Sequence, residues 1–185
     1  METPTQTAPR HSAEHAASRA ILRRIRILLV LFIIGLALSG VTAFALETEM
    51  KFLSSLLSTP GVGPSVYADV HAWILRVQTG LTTTNERYPF IAYGTDWLAF
   101  AHLVLAILFV GPLLNPVKNI WVIHFGLIAC ALVVPLALIC GGIRGIPLGW
   151  QLIDCSFAVL GAVPLWLVRR ETMKLESSNL AILGA

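Results

Sequence analysis

Six polar side chains stand out against an otherwise apolar chain: Asp154, His102, Gln151, His71, Asp96 and Arg144. Asp154 and Gln151 lie in the run Gly145 to Arg170, GIPLGWQLIDCSFAVLGAVPLWLVRR. An ionisable group in such a run calls for a partner or a purpose. At about 100° per residue, Gln151, Asp154, Cys155, Ala158, Gly161 and Ala162 share one side of a helix. The larger Leu152, Phe157, Leu160 and Trp166 spread over the rest. A face of small residues lets another helix approach closely, and an ionisable residue on it looks into a helix bundle instead of into acyl chains. His102 shares a face with Ala99 and Ala106 and looks inward by the same argument. The chemistry these groups offer is a carboxylate and an imidazole that share a proton or hold a small polar ligand, with Gln151, His71, Asp96 and Arg144 around them. The plainer reading makes Asp154 a structural clasp to Gln151, a tyrosine, a backbone amide or Arg144, and His102 a ring bonded to a carbonyl.

The whole chain must place those groups in a membrane. Of its 185 residues 56% are hydrophobic and only 12% charged, and the mean hydropathy is +0.78, values outside the soluble range. The net charge of +3 does not indicate a nucleic-acid partner, because the basic residues flank apolar runs and form no polar patch. Cys130, Cys140 and Cys155 make no CxxC and no zinc spacing, so they read as packing residues, and no metal site is expected.

The pattern predicts an all-α membrane protein with four transmembrane helices, at about 27–46, 97–114, 120–139 and 147–168. These make one domain over about residues 21–174, between a flexible tail at 1–20 and a second tail at 175–185. Ala43-Phe44-Ala45 resembles a signal-peptide cleavage site, but the apolar run before it is longer than a signal peptide's, and an uncleaved anchor fits better. Gly35, Ser39 and Ala43 form a small-xxx-small stripe on the first span. Gly161, Pro164 and Pro135 read as packing and kink positions.

The segment 47–96 is mixed. Met50 to Leu57 suggests a turn or two of amphipathic helix before STPGVGP breaks it. Val66, Val70, Trp73, Ile74, Val77 and Leu81 follow helical spacing, so an external amphipathic helix is expected between the first and second spans. TTTNERYPFIAYG reads as a loop whose Tyr88, Phe90 and Tyr93 suit the headgroup zone, and Trp97 and Trp121 read as interface anchors.

Basic residues decide the expected orientation. One side holds Arg10, Arg19, Arg23, Arg24, Arg26, Lys118, Arg169, Arg170 and Lys174; the other holds Lys51, Arg76, Arg87 and Arg144, which accounts for all 13 Lys and Arg. The positive-inside rule puts both termini in the cytoplasm and the 47–96 segment outside. His102 and Asp154 would then sit roughly 7 to 9 Å below the outer surface, at ~1.5 Å per residue. His124, counted from Lys118, would sit roughly 9 Å from the inner one. That leaves ~12 Å of depth between His124 and His102 in a ~30 Å core, a poor fit to the axial pair of one haem. A quinone-linked disulfide-exchange enzyme needs paired thiols in accessible loops, and none is paired here. No cofactor is expected, and an enzyme is the less favoured class. His124, on a face with Leu127, Ile128 and Ala131, reads as structural.

Taken together, AFAHL, NPVKNIWVIHFGLIACALVVPLALICGGIRGIP and GWQLIDCSFAVLG resemble a family of uncharacterised bacterial polytopic membrane proteins with no assigned activity. The resemblance covers roughly Tyr88 to Arg170 and implies a bacterial cytoplasmic (inner) membrane location but no substrate. Two expectations follow. The chain binds or transports a proton or small polar ligand through an outward-facing Asp/His site, or it is a structural or accessory subunit without a ligand. Its partners would be the lipid bilayer and, through the small-residue faces, a second copy or other membrane subunits. A haem- or quinone-linked redox protein comes third.

Overall fold

A computed structural model describes residues 7–57 and 66–183. In chain order the helices are α1 (Thr7–Phe44), α2 (Leu46–Leu57), α3 (Val66–Arg87), a 3-10 turn (Pro89–Ala92), α4 (Tyr93–Leu108), α5 (Val110–Leu114), α6 (Ile120–Ile143) and α7 (Leu148–Leu183). No strand occurs among the described residues. Four stretches are long and apolar enough to cross a bilayer: Ala16–Phe44, Pro89–Leu114, Ile120–Ile143 and Leu148–Ser177. Within each, only 11% to 22% of the most apolar window is buried in the protein. Apolar surface on that scale requires a lipid solvent, and the chain is a multi-pass membrane protein.

The number of spans is the four that the sequence predicts, whereas the flanks differ. α1 begins at Thr7, inside the stretch read as a flexible tail, where alanine-rich sequence favours helix once a long span nucleates it. α3 continues to Arg87 through TTTNER, which the sequence suggested was loop. Thr82 and Asn85 are held by Glu47, so tertiary contacts override weak helix propensity. The break at STPGVGP lies outside the described residues.

Two compact units make up the described chain, Met1–Ile34 with Ile107–Ala185 and Gly35–Ala106. The first is built on the antiparallel pair α6 and α7. Its close contacts occur at glycines. A Cβ on Gly126 would fall 2.7 Å from Leu165 and 2.7 Å from Phe109, and one on Gly161 would fall 2.9 Å from the Cys130 sulfur. Phe32 of α1 packs on Phe109 with ring centroids 4.7 Å apart. On α7, Gln151, Ala158, Leu165, Val168, Thr172 and Leu175 are buried, while Leu152, Phe157, Leu160 and Trp166 are exposed. Of the predicted small face, Gln151 and Ala158 are buried and Asp154, Cys155, Gly161 and Ala162 are half-buried, and the buried stripe continues through larger residues toward Leu175. Asn119 fastens the α5–α6 connection, its amide donating to the carbonyls of Gly111 (3.1 Å) and Asn115 (2.9 Å).

The second unit contains the end of α1, α2, α3, the 3-10 turn and most of α4. Here α1 meets α4 at Gly40, where a Cβ would lie 2.9 Å from the Ala99 carbonyl oxygen and 3.1 Å from the His102 Cβ. The expected stripe of Gly35, Ser39 and Ala43 is not the contact: Gly35 and Ser39 are exposed, and a Cβ at Gly35 would touch nothing within 4 Å. After the bend at Ala45, α2 runs antiparallel to α3, since Glu47 in the first turn of α2 reaches Thr82 and Asn85 at the far end of α3. Ile74 on α3 is 1% exposed, and its neighbours Trp73 and Val77 are half-buried, as the periodicity predicts.

Candidate functional site

In the second unit, the ends of two spans and the α2–α3 pair enclose a cleft of about 610 Å³. α1 supplies Ala43 and Phe44, α2 supplies Glu47 and Thr48, α3 supplies Gly80, Thr84 and Asn85, and the start of the second span supplies Ile91, Thr95 and Asp96. A second, shallower recess of about 300 Å³ shares Phe44 and Asp96 with it and is otherwise walled by Tyr93, Trp97 and Phe100. Asp96 therefore stands where the two meet. It is half-buried in the first turn of α4, and no hydrogen-bond or ion-pair partner for it is found among the described residues. Among the described residues, no Lys, Arg or His lines either cavity.

Glu47 is the other carboxylate in the cleft wall, and it is fully occupied. Lys51 contacts its Oε1 at 2.7 Å, the Thr82 hydroxyl donates to Oε1 at 3.0 Å, and the Asn85 amide donates to Oε2 at 2.8 Å. The Lys51 ammonium first, then the Asn85 and Thr82 donors, hold this carboxyl down at about 2. Glu47 is thus a clamp between α2 and α3. An acidic residue four positions before a lysine at a helix start is visible in the sequence. Its two partners on α3 are 35 and 38 residues away and leave no local signal.

The remaining predicted residues are distributed over both units. His102 lies on α4, six residues past Asp96 and half-buried. Its Nδ1 is 2.8 Å from the Leu98 carbonyl; a carbonyl only accepts, so Nδ1 carries the proton. His71 is half-buried on α3. In the other unit, Asp154 is half-buried on α7, and no partner for it is found among the described residues. Gln151, one turn earlier, is buried and donates from Nε2 to the Ile146 carbonyl at 2.7 Å, with its stem against Gly141. That bond fastens the turn between α6 and α7. Arg144 closes the end of α6 and is exposed.

One polar contact in the spans lacks a sequence signal. Arg169 of α7 donates from Nε to the Nε2 of His124 on α6 at 3.0 Å, which requires a neutral imidazole protonated on Nδ1. His124 thus has a polar neighbour that its own helix face does not supply. No family model, curated protein or solved structure matches the chain.

Proposed function

We propose that this multi-pass protein resides in a bacterial cytoplasmic membrane with both termini inside, and that it binds a small polar ligand on the outer side, in the cleft that ends at Asp96. The cleft itself carries the reading: about 610 Å³ is within the size range of small-molecule sites. Its wall combines apolar surface with the polar groups of Thr48, Thr84, Asn85 and Thr95 and the carboxyl of Asp96, for which no partner is found among the described residues. The nine-to-four division of basic residues supports the orientation. Within the spans, His102 and Asp154, each in its own unit, are the proton-carrying candidates of the same reading.

Gly80 provides the test. It lines the cleft, and a Cβ there would meet nothing within 4 Å, so a side chain at this position starts into open space, and Gly80→Trp places bulk at the cleft wall while removing a helix-weakening glycine. Native mass spectrometry of protein released from gently solubilised membranes should find a retained small molecule on the wild type and lose it in Gly80→Trp. Equal retention by both would refute the cleft as the site. A C-terminal reporter active only outside the cytoplasm would refute the orientation.

A further inference from the structure

The bond between Arg169 and His124 leaves a charge unanswered. Nε of Arg169 donates to His124 at 3.0 Å, and because that imidazole is neutral, the pair keeps the full positive charge of the guanidinium. Arg169 is half-buried, and no carboxylate pairs with it among the described residues. Glu171, two residues on, is engaged by Lys174 at 2.7 Å. Depth makes the lone charge costly. Gly126 packs on Leu165 and Gly161 on Cys130, a register that sets Arg169 opposite Val122 in the first turn of α6. Side chains on a helix lean toward its N-terminus, so the head of Arg169 reaches His124, two residues deeper in the span, instead of turning outward to water. The 24 residues of α6 measure ~36 Å at ~1.5 Å per residue and, centred on a ~30 Å hydrocarbon core, overrun it by ~3 Å at each end. The guanidinium is thereby held at the border of the hydrocarbon, where phospholipid phosphates are the nearest anions.

Its free edge has the matching shape. With Nε used, the two Nη groups present parallel N–H donors, the fork that grips a phosphate through two oxygens. Arg170 beside it is held over the Trp166 ring at 5.9 Å. Neighbouring spans alternate in direction, so the start of α1 reaches the same leaflet as the start of α6 and the end of α7. There Arg24 and Arg26 flank the buried Ile25 and are exposed, with no ion-pair partner among the described residues. This surplus of cations favours a net-negative headgroup over a zwitterionic one. We infer that Arg169, positioned by His124, binds the phosphate of an anionic phospholipid in the leaflet at the start of α6. The site belongs to the first unit, and the cleft to the second.

The test is native mass spectrometry of the full chain, delipidated in a non-ionic detergent and titrated with phosphatidylglycerol or with phosphatidylcholine of the same acyl chains. Phosphatidylglycerol should bind more tightly. Arg169→Gln should weaken it by about ten-fold to a hundred-fold, the range of a hydrogen bond to a charged group. Arg169→Lys keeps the charge without the fork and should recover only part of that loss. His124→Leu replaces a neutral ring and alters no charge, yet by freeing the guanidinium it should weaken phosphatidylglycerol several-fold. His124→Gln, which keeps an acceptor, should restore most of the affinity. Arg144→Gln removes one charge from the other end of α6 and should change nothing. Equal affinity of the two lipids overturns the site, as does wild-type affinity in Arg169→Gln, Arg169→Lys or His124→Leu. Equal losses in Arg144→Gln and Arg169→Gln reduce the basic residues to a diffuse belt and overturn it too. Displacement of the lipid by an equal concentration of glycerol 3-phosphate would make a free phosphate ester the occupant and overturn the lipid.

Discussion

Two glycines five residues apart on α1 should respond in opposite directions to the same added methyl group. At Gly40, a Cβ would stand 2.9 Å from the backbone oxygen of Ala99 and 3.1 Å from both the His102 Cβ and the Leu103 Cγ. None of these is the free end of a flexible chain, so α1 and α4 must move apart. Such overpacking costs about 1–3 kcal/mol, while replacing a helical glycine by alanine returns about 0.5–1 kcal/mol. Gly40→Ala should therefore be destabilised by about 0–2.5 kcal/mol net. Gly35→Ala meets no atom within 4 Å and should gain the full helix term. The separation between the two variants, about 1–3 kcal/mol, is the overpacking term alone. Unfolding by sodium dodecyl sulfate titration in mixed micelles, followed by tryptophan fluorescence, would measure it. Equal stability of the two variants would refute the close approach at Gly40. A loss at Gly35 that grows with protein concentration would show instead that a second copy covers that stripe.

Three further outcomes follow from polar contacts. Because the Glu47 carboxyl is held at about 2 against an ordinary 4.5, the α2–α3 clamp should be at full strength above pH 4.5 and fade as the pH falls toward 2. Limited proteolysis of α3 across that window should show the dependence in the wild type and not in Glu47→Gln. Gln151→Leu leaves the Ile146 carbonyl without its 2.7 Å donor and should cost about 1–3 kcal/mol in the same micelle titration. His124→Leu removes the acceptor of Arg169 and should cost about 1 kcal/mol. His124→Gln, which keeps an acceptor oxygen, should cost less, and equal losses in the two would refute the bond.

The four spans were legible because length and apolarity alone mark them. So was the small face of α7, because residue size at helical spacing decides which side can be approached. The same rule misplaced the contact on α1. Spacing identifies stripes of small residues but not which stripe meets a neighbour, and Gly40 lies beside the predicted one. Asp96 was readable as a candidate because charge at a span boundary is conspicuous. The Glu47 clamp and the Arg169 bond to His124 link residues 35 to 45 positions apart, and no local pattern encodes such pairs.

The turn joining α6 to α7 also bears on how these helices enter the bilayer. Its backbone donors are already used: Arg144 bonds to Cys140, Gly145 to Gly142 and Ile146 to Gly141, while Gln151 covers the Ile146 carbonyl. Gly145 makes the reversal possible, at a φ of +67° that side-chain-bearing residues rarely adopt. With so few bare backbone groups, the last two spans can insert together as a helical hairpin, sparing lipid an unsatisfied peptide edge. In the proposed orientation, translocation of the turn reduces to moving one guanidinium, that of Arg144. The scale for a charge at mid-bilayer, about 2.5–3.5 kcal/mol, is small beside two apolar helices arriving at once.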